Sequence, residues 1–213
     1  MRTAVLALIS IVSLSGCATV DQKTTFDGSD GSAFVVVAVD KLPERVVGSY
    51  TLLFSRVDMQ SSTFQSEWFS IVFDAGAGTF VVDELKKPES VSTTLRFGAH
   101  SVVPGDYAYA ARSDLQGNVV MENCYSEGAP VFRVAPGKVS VISLGDVLSN
   151  MGAGSADALD EGAKVLAAYP KINAPLVLAQ QVGSITFTSG KAVGYSTCRN
   201  QNVKSVEVVS AKP

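Results

Sequence analysis

The chain has 213 residues, a formal net charge of −3 and a single histidine. A weakly acidic chain without a basic cluster has no electrostatic basis for binding nucleic acid. One histidine argues against the common zinc hydrolase sites, which take two or three histidine ligands. The length fits one domain whose core is large enough to fold without a structural metal.

The N-terminus carries the pattern of an export signal. Arg2 precedes an apolar run at residues 4–14, which is shorter than the roughly 20 residues that a membrane-spanning helix needs. The run ends in Leu14-Ser15-Gly16-Cys17, which resembles the lipobox of bacterial lipoproteins. The resemblance implies that residues 1–16, an N-terminal signal helix, are removed and that Cys17 is lipidated. The alternative is a plain secretory leader followed by an incidental cysteine.

The resemblance also predicts a location. Acyl chains gain about 0.8 kcal/mol for each CH₂ buried in a bilayer, so lipidation would anchor the protein. Ala18 stands where an aspartate tends to retain such lipoproteins in the inner membrane, which implies the periplasmic side of the outer membrane. Without Arg2 the mature chain has 16 Lys and Arg against 20 Asp and Glu, a net charge of −4. This balance argues against a charge-driven contact with an anionic bilayer.

The chain after the cysteine divides into two parts. Residues 18–32 are polar and rich in turn-forming residues. We therefore expect the lipidated Cys17 and this segment, residues 17–32, to form a flexible tether. Residues 33–213 are expected to form a single domain.

Short strands dominate the first part of the predicted domain. Residues 34–39 are apolar on both faces, which predicts a strand in the centre of a sheet. Residues 67–73 alternate, with Phe69, Ile71 and Phe73 on one face and Trp68 on the other. Further strands are predicted at residues 50–57, 79–83 and 91–97.

Two Pro-Gly pairs mark turns. Pro104-Gly105 predicts a type II turn followed by a strand, because proline presets φ and glycine accepts a positive φ. Pro136-Gly137 repeats this pattern and predicts a hairpin within residues 132–141. Many short strands separated by such turns favour a mainly β fold, an antiparallel β-sandwich.

One segment has helical periodicity. Residues 155–168 are rich in alanine and place Leu159, Ala163 and Leu166 at helical spacing. Ser155 is the predicted N-cap, and Gly162 weakens the helix by about 1 kcal/mol relative to alanine. Strands are expected again in residues 176–179, 185–188, 192–198 and 203–209.

The middle of the chain resembles a known group. Residues 103–107, 128–132 and 134–141 are similar to segments of uncharacterised bacterial lipoproteins with a transthyretin-like or carboxypeptidase-regulatory-like β-sandwich. The resemblance covers about residues 34–145 and implies a fold type. It implies no activity and no residue roles, since the group has neither.

The cysteines predict one disulfide. With Cys17 assigned to lipid, Cys124 and Cys198 remain as an even pair in an exported, oxidising compartment. A bond between them would close a long loop and stabilise the fold by about 4 kcal/mol in the chain-entropy model. The alternative is a thiol enzyme that uses His100 as its base. Without such a catalytic role, His100 is expected to be solvent-exposed or locally hydrogen-bonded.

The aromatic side chains suggest a ligand surface. Trp68 has serines for neighbours on its strand face, and we expect a second covered core there, beneath the helix. An exposed Trp68, with Tyr107 and Tyr109, would instead offer a platform on which sugars stack. These three residues are the candidate ligand-binding residues.

The function predicted from the sequence is non-enzymatic. The chain has no H-E-x-x-H or G-x-S-x-G motif, and we predict no catalytic residue, metal or cofactor. We expect a lipid-anchored structural or interaction protein of the bacterial cell envelope, with an envelope protein as partner. The alternative is a periplasmic module that binds peptidoglycan or another glycan.

Overall fold

The computed structural model describes residues 20–41, 49–74, 83–116, 119–146, 157–188, 190–192, 195–198 and 202–208. The described chain is a β-sandwich of a four-stranded and a seven-stranded sheet with one helix, as the sequence predicts, and it has a separate two-stranded sheet. The strands are β1 (Ala33–Lys41), β2 (Ser49–Asp58), β3 (Thr63–Asp74), β4 (Arg96–Val102), β5 (Gly105–Gln116), β6 (Val119–Cys124), β7 (Ala129–Val134), β8 (Val139–Asp146), β9 (Leu176–Leu178), β10 (Gln180–Phe187), β11 (Gly190–Ala192), β12 (Tyr195–Thr197) and β13 (Val203–Val208).

The smaller sheet has four strands in the order β4-β1-β8-β9. Its central strand β1 pairs antiparallel with β4 but parallel with β8, and β8 pairs parallel with β9. The predicted antiparallel pairing therefore holds throughout the larger sheet, whereas this smaller sheet is mixed. Strands β2 to β7 lie between β1 and β8 along the chain, and the helix lies between β8 and β9. Parallel neighbours need such long crossover connections.

Strand β1 is buried on both faces, which confirms the prediction for residues 34–39. Val35 and Val37 face the larger sheet and join the core between the sheets. Phe34 and Val36 point the other way, into a second core. The four-stranded sheet is therefore the middle layer of three.

Helix α1 (Ala158–Leu166) covers the outer face of the four-stranded sheet. It begins later than the predicted residue 155 and has Asp157 as its N-cap, while Ser155 lies outside the described residues. Its Gly162 faces the sheet, where an added Cβ would lie 3.5 Å from the Phe97 ring. At that distance an alanine methyl group would make ordinary van der Waals contact with the sheet.

Residues 20–32 pack against the domain in the structure, although we expect a tether there. Val20 and Phe26 are 8% and 7% exposed and belong to the second core. The Phe26 amide donates to the Lys171 carbonyl (2.9 Å), and the Asn173 amide donates to the Phe26 carbonyl (2.9 Å). Burial of Phe26 draws this otherwise polar segment onto the helix layer.

The larger sheet has the strand order β13-β10-β7-β5-β2-β3, and β6 pairs with the far end of β5. Phe69, Ile71 and Phe73 on β3 are all buried in the core between the sheets, as their alternation predicts. The disulfide Cys124–Cys198 is confirmed, with 5.4 Å between the two Cα atoms. It ties the end of β6 to the residue that follows β12.

Both Pro-Gly pairs join one sheet to the other. Pro136-Gly137 connects β7 in the larger sheet to β8 in the smaller one, so the predicted hairpin is wrong. Pro104-Gly105 makes the same crossing from β4 to β5. Gly137 has φ of +66°, which suits glycine, but Gly105 has φ of +155° and already belongs to β5. The residues of a turn do not reveal whether the strand before it and the strand after it belong to the same sheet.

Two predicted strand boundaries also differ. Strand β4 begins at Arg96 rather than at residue 91, because residues 91–95 form an irregular segment. Of the strand predicted at residues 79–83, only Asp83 is described, and the rest lies outside the described residues.

Candidate functional site

The candidate site lies at the seam between strands β3 and β4. Each strand ends its sheet, so the two edges face each other across one side of the sandwich. At one end of the seam, residues 83–85 run between the two strands. The Asp83 amide donates to the Val72 carbonyl (2.9 Å), and the Ala99 amide donates to the Asp83 carbonyl (3.0 Å). We call this stretch the closed half of the seam.

Side chains reinforce the closed half. The Asp83 carboxylate accepts a hydrogen bond from the Val72 amide (2.9 Å). Arg96 donates to Glu84 through Nε (2.7 Å) and through a second nitrogen, and also to the Asp74 carbonyl (2.6 Å). Its guanidinium lies 5.5 Å from the centre of the Phe73 ring. These contacts connect both edge strands to the inserted segment.

The other end of the seam, the open half, is a groove of about 400 Å³. Its floor is a cluster of rings: the Phe69 ring lies parallel to the His100 ring, with 6.1 Å between centres, and edge-on to the Tyr107 ring at 5.1 Å. The residues that line the groove are Ser66, Glu67, Trp68, Phe69, Ser70, His100, Ser101, Val102, Val103 and Tyr107.

Trp68 lies at the rim of this groove with 45% of its surface exposed. The expectation that it sits in a covered core is therefore wrong. Strand β1 is apolar on both faces, so the helix covers the four-stranded sheet instead of the face that carries Trp68. Ser66 and Ser70 share that face with Trp68, since side chains alternate along a strand.

Tyr107 and Tyr109 are core residues, which corrects their prediction as ligand-stacking side chains. The Tyr107 hydroxyl donates to the Val103 carbonyl (2.7 Å), and burial raises the pKa of Tyr107 to about 12. The Tyr109 ring packs 5.2 Å from Phe54 between the sheets. Burial, more than the neighbouring Tyr125, raises the Tyr109 pKa. Only the edge of Tyr107 contributes to the groove.

His100 is half-buried at the floor rather than exposed. Its Nδ1 atom is buried and has no hydrogen-bond partner among the residues that the structure describes. Burial lowers the His100 pKa, and the charge of Asp83 opposes this only in part. Burial likewise raises the Asp83 pKa. A neutral imidazole at the floor can accept or donate a hydrogen bond to a polar ligand group.

Glu67 lies on the rim of the groove, where Arg56 balances its charge. Its carboxylate forms an ion pair with Arg56 (3.1 Å). Its own backbone amide, then Ser66 and Arg56, lower the Glu67 pKa, so the side chain is ionised at neutral pH. The alternation of strand β3 could have identified Ser66 and Ser70, whereas Glu67 and His100 are brought together only by the packing of the two edges.

A second cleft, of about 650 Å³, lies where the two Pro-Gly crossings meet. Arg56 and Arg133 line it, and Arg133 holds Asp106 through two hydrogen bonds of 2.9 and 3.0 Å. Because each arginine pairs with a carboxylate, the cleft carries little net charge. The seam groove combines an exposed aromatic ring with the His100 Nδ1 atom, which has no partner among the described residues, and is the stronger candidate.

Cys17 lies outside the described residues. Within the described ranges, no three His, Cys, Asp or Glu side chains are grouped so that they could hold a metal ion. No helix in those ranges is long and apolar enough to cross a membrane.

Comparison of the chain with protein-family models, curated proteins and solved structures finds no match. The resemblance to transthyretin-like lipoproteins stays a prediction.

Proposed function

We propose that this protein is a lipid-anchored, non-enzymatic interaction protein of the bacterial cell envelope, and that it binds its partner at the open half of the seam. The observation that carries the proposal is Trp68. Most large aromatic side chains of the described domain are buried, yet this one is 45% exposed beside a groove. Exposed aromatic rings that flank a concavity are typical of binding surfaces.

The motif at Cys17 and the disulfide support the envelope as the location. Disulfides persist in oxidising compartments such as the periplasm. Mass spectrometry of the N-terminal peptide tests the anchor: we expect Cys17 as the first residue, with a diacylglycerol added to its sulfur. An unmodified Cys17, or an unchanged membrane fraction after Cys17→Ser, would contradict the anchor.

Photo-crosslinking in cells tests the binding surface. A photoreactive amino acid at Ser66, on the groove rim, should give a discrete adduct with one envelope component. The same amino acid at Ser205, an exposed residue of strand β13, is the matched control. The proposal fails if Ser66 gives no adduct or if both positions give the same one.

A glycan is a second candidate ligand, and the composition of the groove favours it. The face of Trp68 can stack on a sugar ring. The hydroxyls of Ser66, Ser70 and Ser101 and the ionised Glu67 can bond to sugar hydroxyls, as the sparse polar groups of a ligand pocket do. Peptidoglycan is the glycan that a periplasmic protein meets in quantity.

Co-sedimentation with purified sacculi tests this second candidate. We expect the protein to sediment with sacculi and Trp68→Ala to stay in solution. Val208→Ala, which trims an exposed apolar side chain on β13, should sediment like the wild type. No enrichment of the wild type would reject the glycan.

An enzymatic role is the opposing hypothesis, and His100 provides its test. A hydrolytic activity that His100→Ala abolishes, in a variant that still folds, would overturn the non-enzymatic proposal.

A further inference from the structure

The closed half shows how the two strand edges of the seam accept an extended chain. The Asp83 amide donates to the Val72 carbonyl of β3 (2.9 Å), and the Asp83 carbonyl accepts from the Ala99 amide of β4 (3.0 Å). The Leu85 amide donates to the Phe97 carbonyl of β4 (2.7 Å). The inserted segment is therefore a short extended stretch whose backbone bonds to both edges.

The backbone of β3 continues the same edge into the open half. Both main-chain groups of Val72 point away from β2, since its carbonyl accepts from the Asp83 amide and its amide donates to the Asp83 carboxylate. In an antiparallel pair, residues that bond to the neighbouring strand alternate with residues whose groups point away from it. The pairing of β2 with β3 keeps one register from Asp74 to Trp68, so the amide and carbonyl of Ser70 also point into the seam.

The backbone of β4 faces the open half in the same way. The Ala99 amide bonds across the seam, so the amide and carbonyl of Ser101, two residues further along β4, also point into the seam. The neighbour of Ser101 in β1 agrees, because the Phe34 amide donates to the Lys138 carbonyl on the β8 side of β1 (3.1 Å). Ser70 and Ser101 both line the groove, and in the described ranges no strand pairs with either from the seam side.

The side chains of the open half suit a segment that alternates between apolar and polar residues. The buried Phe69 and the half-buried His100 form an aromatic floor, and the exposed Val103 lines the groove beside it. The ion pair between Glu67 and Arg56 leaves the rim without a strong net charge. The inserted segment of the closed half alternates likewise, with its first and third residues buried and its second half-buried.

We infer that the partner binds as an extended polypeptide strand in the open half, where its backbone bonds to Ser70 of β3 and to Ser101 of β4. Its bonds repeat those of the inserted segment two residues further along each edge strand. This inference rests on the proposed function, which places the partner in the open half. Residues 66–70 of β3 are about 17 Å long in an extended strand, which leaves room for about five residues of the partner. Addition of a strand to an exposed sheet edge is a recurring mode of peptide recognition.

The two strand edges favour a polypeptide over a glycan. Along each edge the main-chain groups that point into the seam recur at every second residue, about 7 Å apart. An extended peptide repeats its amides and carbonyls at the same spacing, and each can satisfy one group of the edge. A glycan chain lacks a backbone whose donors and acceptors alternate at this spacing.

Crosslinking from both edges tests the geometry in cells that produce the full chain. A small diazirine amino acid is placed at Ser70 in one variant and at Ser101 in another, with Ser205 again as the matched control. The adducts are digested and mapped by mass spectrometry. We expect both edge positions to label one polypeptide at sites within about five residues of each other, because the open half has room for no longer stretch.

Four results would overturn the inference. They are an adduct with a glycan, an adduct with a second copy of this chain, an adduct within the chain itself, and two labelled sites that lie far apart in the partner. The inference also fails if either edge position gives no adduct or gives the same adduct as Ser205.

A synthetic peptide of the labelled stretch tests the main-chain bonds without changing the protein. It is titrated into the purified mature protein, and the emission of Trp68, the only tryptophan of the chain, reports binding. An ester in place of the amide of the residue that labels Ser70 removes one N–H donor. We expect it to weaken binding about tenfold, since one hydrogen bond contributes about 1 kcal/mol and the edge carbonyl is left without a donor. An ester beyond the labelled stretch is the control, and equal affinities of the two ester peptides would overturn the inference.

The proposed function and this inference fail in different ways. If Ser66 gives no adduct, the binding surface itself is wrong and both proposals fall. If Ser66 gives a discrete adduct but the edge positions or the ester peptides give one of the contrary results, the surface remains and strand addition is rejected.

Discussion

The two halves of the seam are built by the same two edge strands, yet they differ in nearly every contact. In the closed half, residues 83–85 lie between β3 and β4 and join both by backbone hydrogen bonds. In the open half no described segment lies between the strands, and rings form the floor of a groove. An unprotected strand edge invites association. The comparison indicates that the closed half serves stability and the open half serves recognition.

The largest expected effect comes from the ring that supports the floor. Phe69→Ala removes a buried side chain that stacks on Phe54 with 4.7 Å between ring centres. We expect the free energy of unfolding to fall by about 3–5 kcal/mol, since a buried cavity remains. Denaturant titration measures it, and Phe69→Leu should lose less. A loss below about 1 kcal/mol would mean that the groove collapses to fill the gap.

The next effect is in the closed half. Arg96→Ala removes the bonds to Glu84 and to the Asp74 carbonyl and leaves Phe73 uncovered. We expect a loss of about 2 kcal/mol, because charged hydrogen bonds are strong but this pair is partly exposed. Arg96→Lys should recover only part of it, since lysine lacks the two-pronged geometry. An unchanged denaturation midpoint in Arg96→Ala would show that these contacts of the closed half do not stabilise the fold.

The third effect depends on pH and lies in the open half. Burial lowers the His100 pKa below its ordinary value of 6.5, so folding favours the neutral ring. This contribution is complete above pH 6.5 and is lost as the pH falls through the lowered pKa. Wild type should therefore lose more stability than His100→Gln between pH 8 and pH 5. Denaturant titrations of both proteins at both pH values measure this difference. If the two proteins differ in free energy of unfolding by the same amount at pH 8 and pH 5, the prediction is contradicted.

The smallest effect on stability is expected at Trp68. An exposed rim residue contributes little to folding, so Trp68→Ala should change the free energy of unfolding by less than about 0.5 kcal/mol. The same variant should lose binding at the groove. Thermal denaturation measures the effect on stability, and the crosslinking or sacculus assay measures the effect on binding. A large loss of stability would place Trp68 among the structural residues and weaken the comparison.

The sequence predicts a good part of the fold because the burial of a strand face requires apolar residues at regular spacing. The unbroken apolar run at residues 34–39 identifies a strand buried on both faces, and the alternation of Phe69, Ile71 and Phe73 identifies a half-buried one. Cysteine counting correctly pairs Cys124 with Cys198. These predictions use only neighbours along the chain or the number of residues of one type.

Less of the candidate site can be predicted. Trp68 is recognisable as an outward side chain on β3, but Tyr107 and Tyr109 follow the same alternation rule and turn inward on β5. Which face of a strand is covered depends on the layer packed against it, and that layer comes from distant parts of the chain. His100 becomes a floor residue because β4 ends its sheet opposite β3.

By itself the sequence determined the strands, the approximate helix, the cysteine pairing and the alternation of faces, because each follows from local periodicity or composition. The tertiary structure alone decided that both Pro-Gly turns cross between sheets and that β1 pairs parallel with β8. It also decided that residues 20–32 pack on the domain and that Trp68 stays uncovered. The physical reason is shared: each outcome depends on which apolar surfaces, far apart in sequence, cover one another.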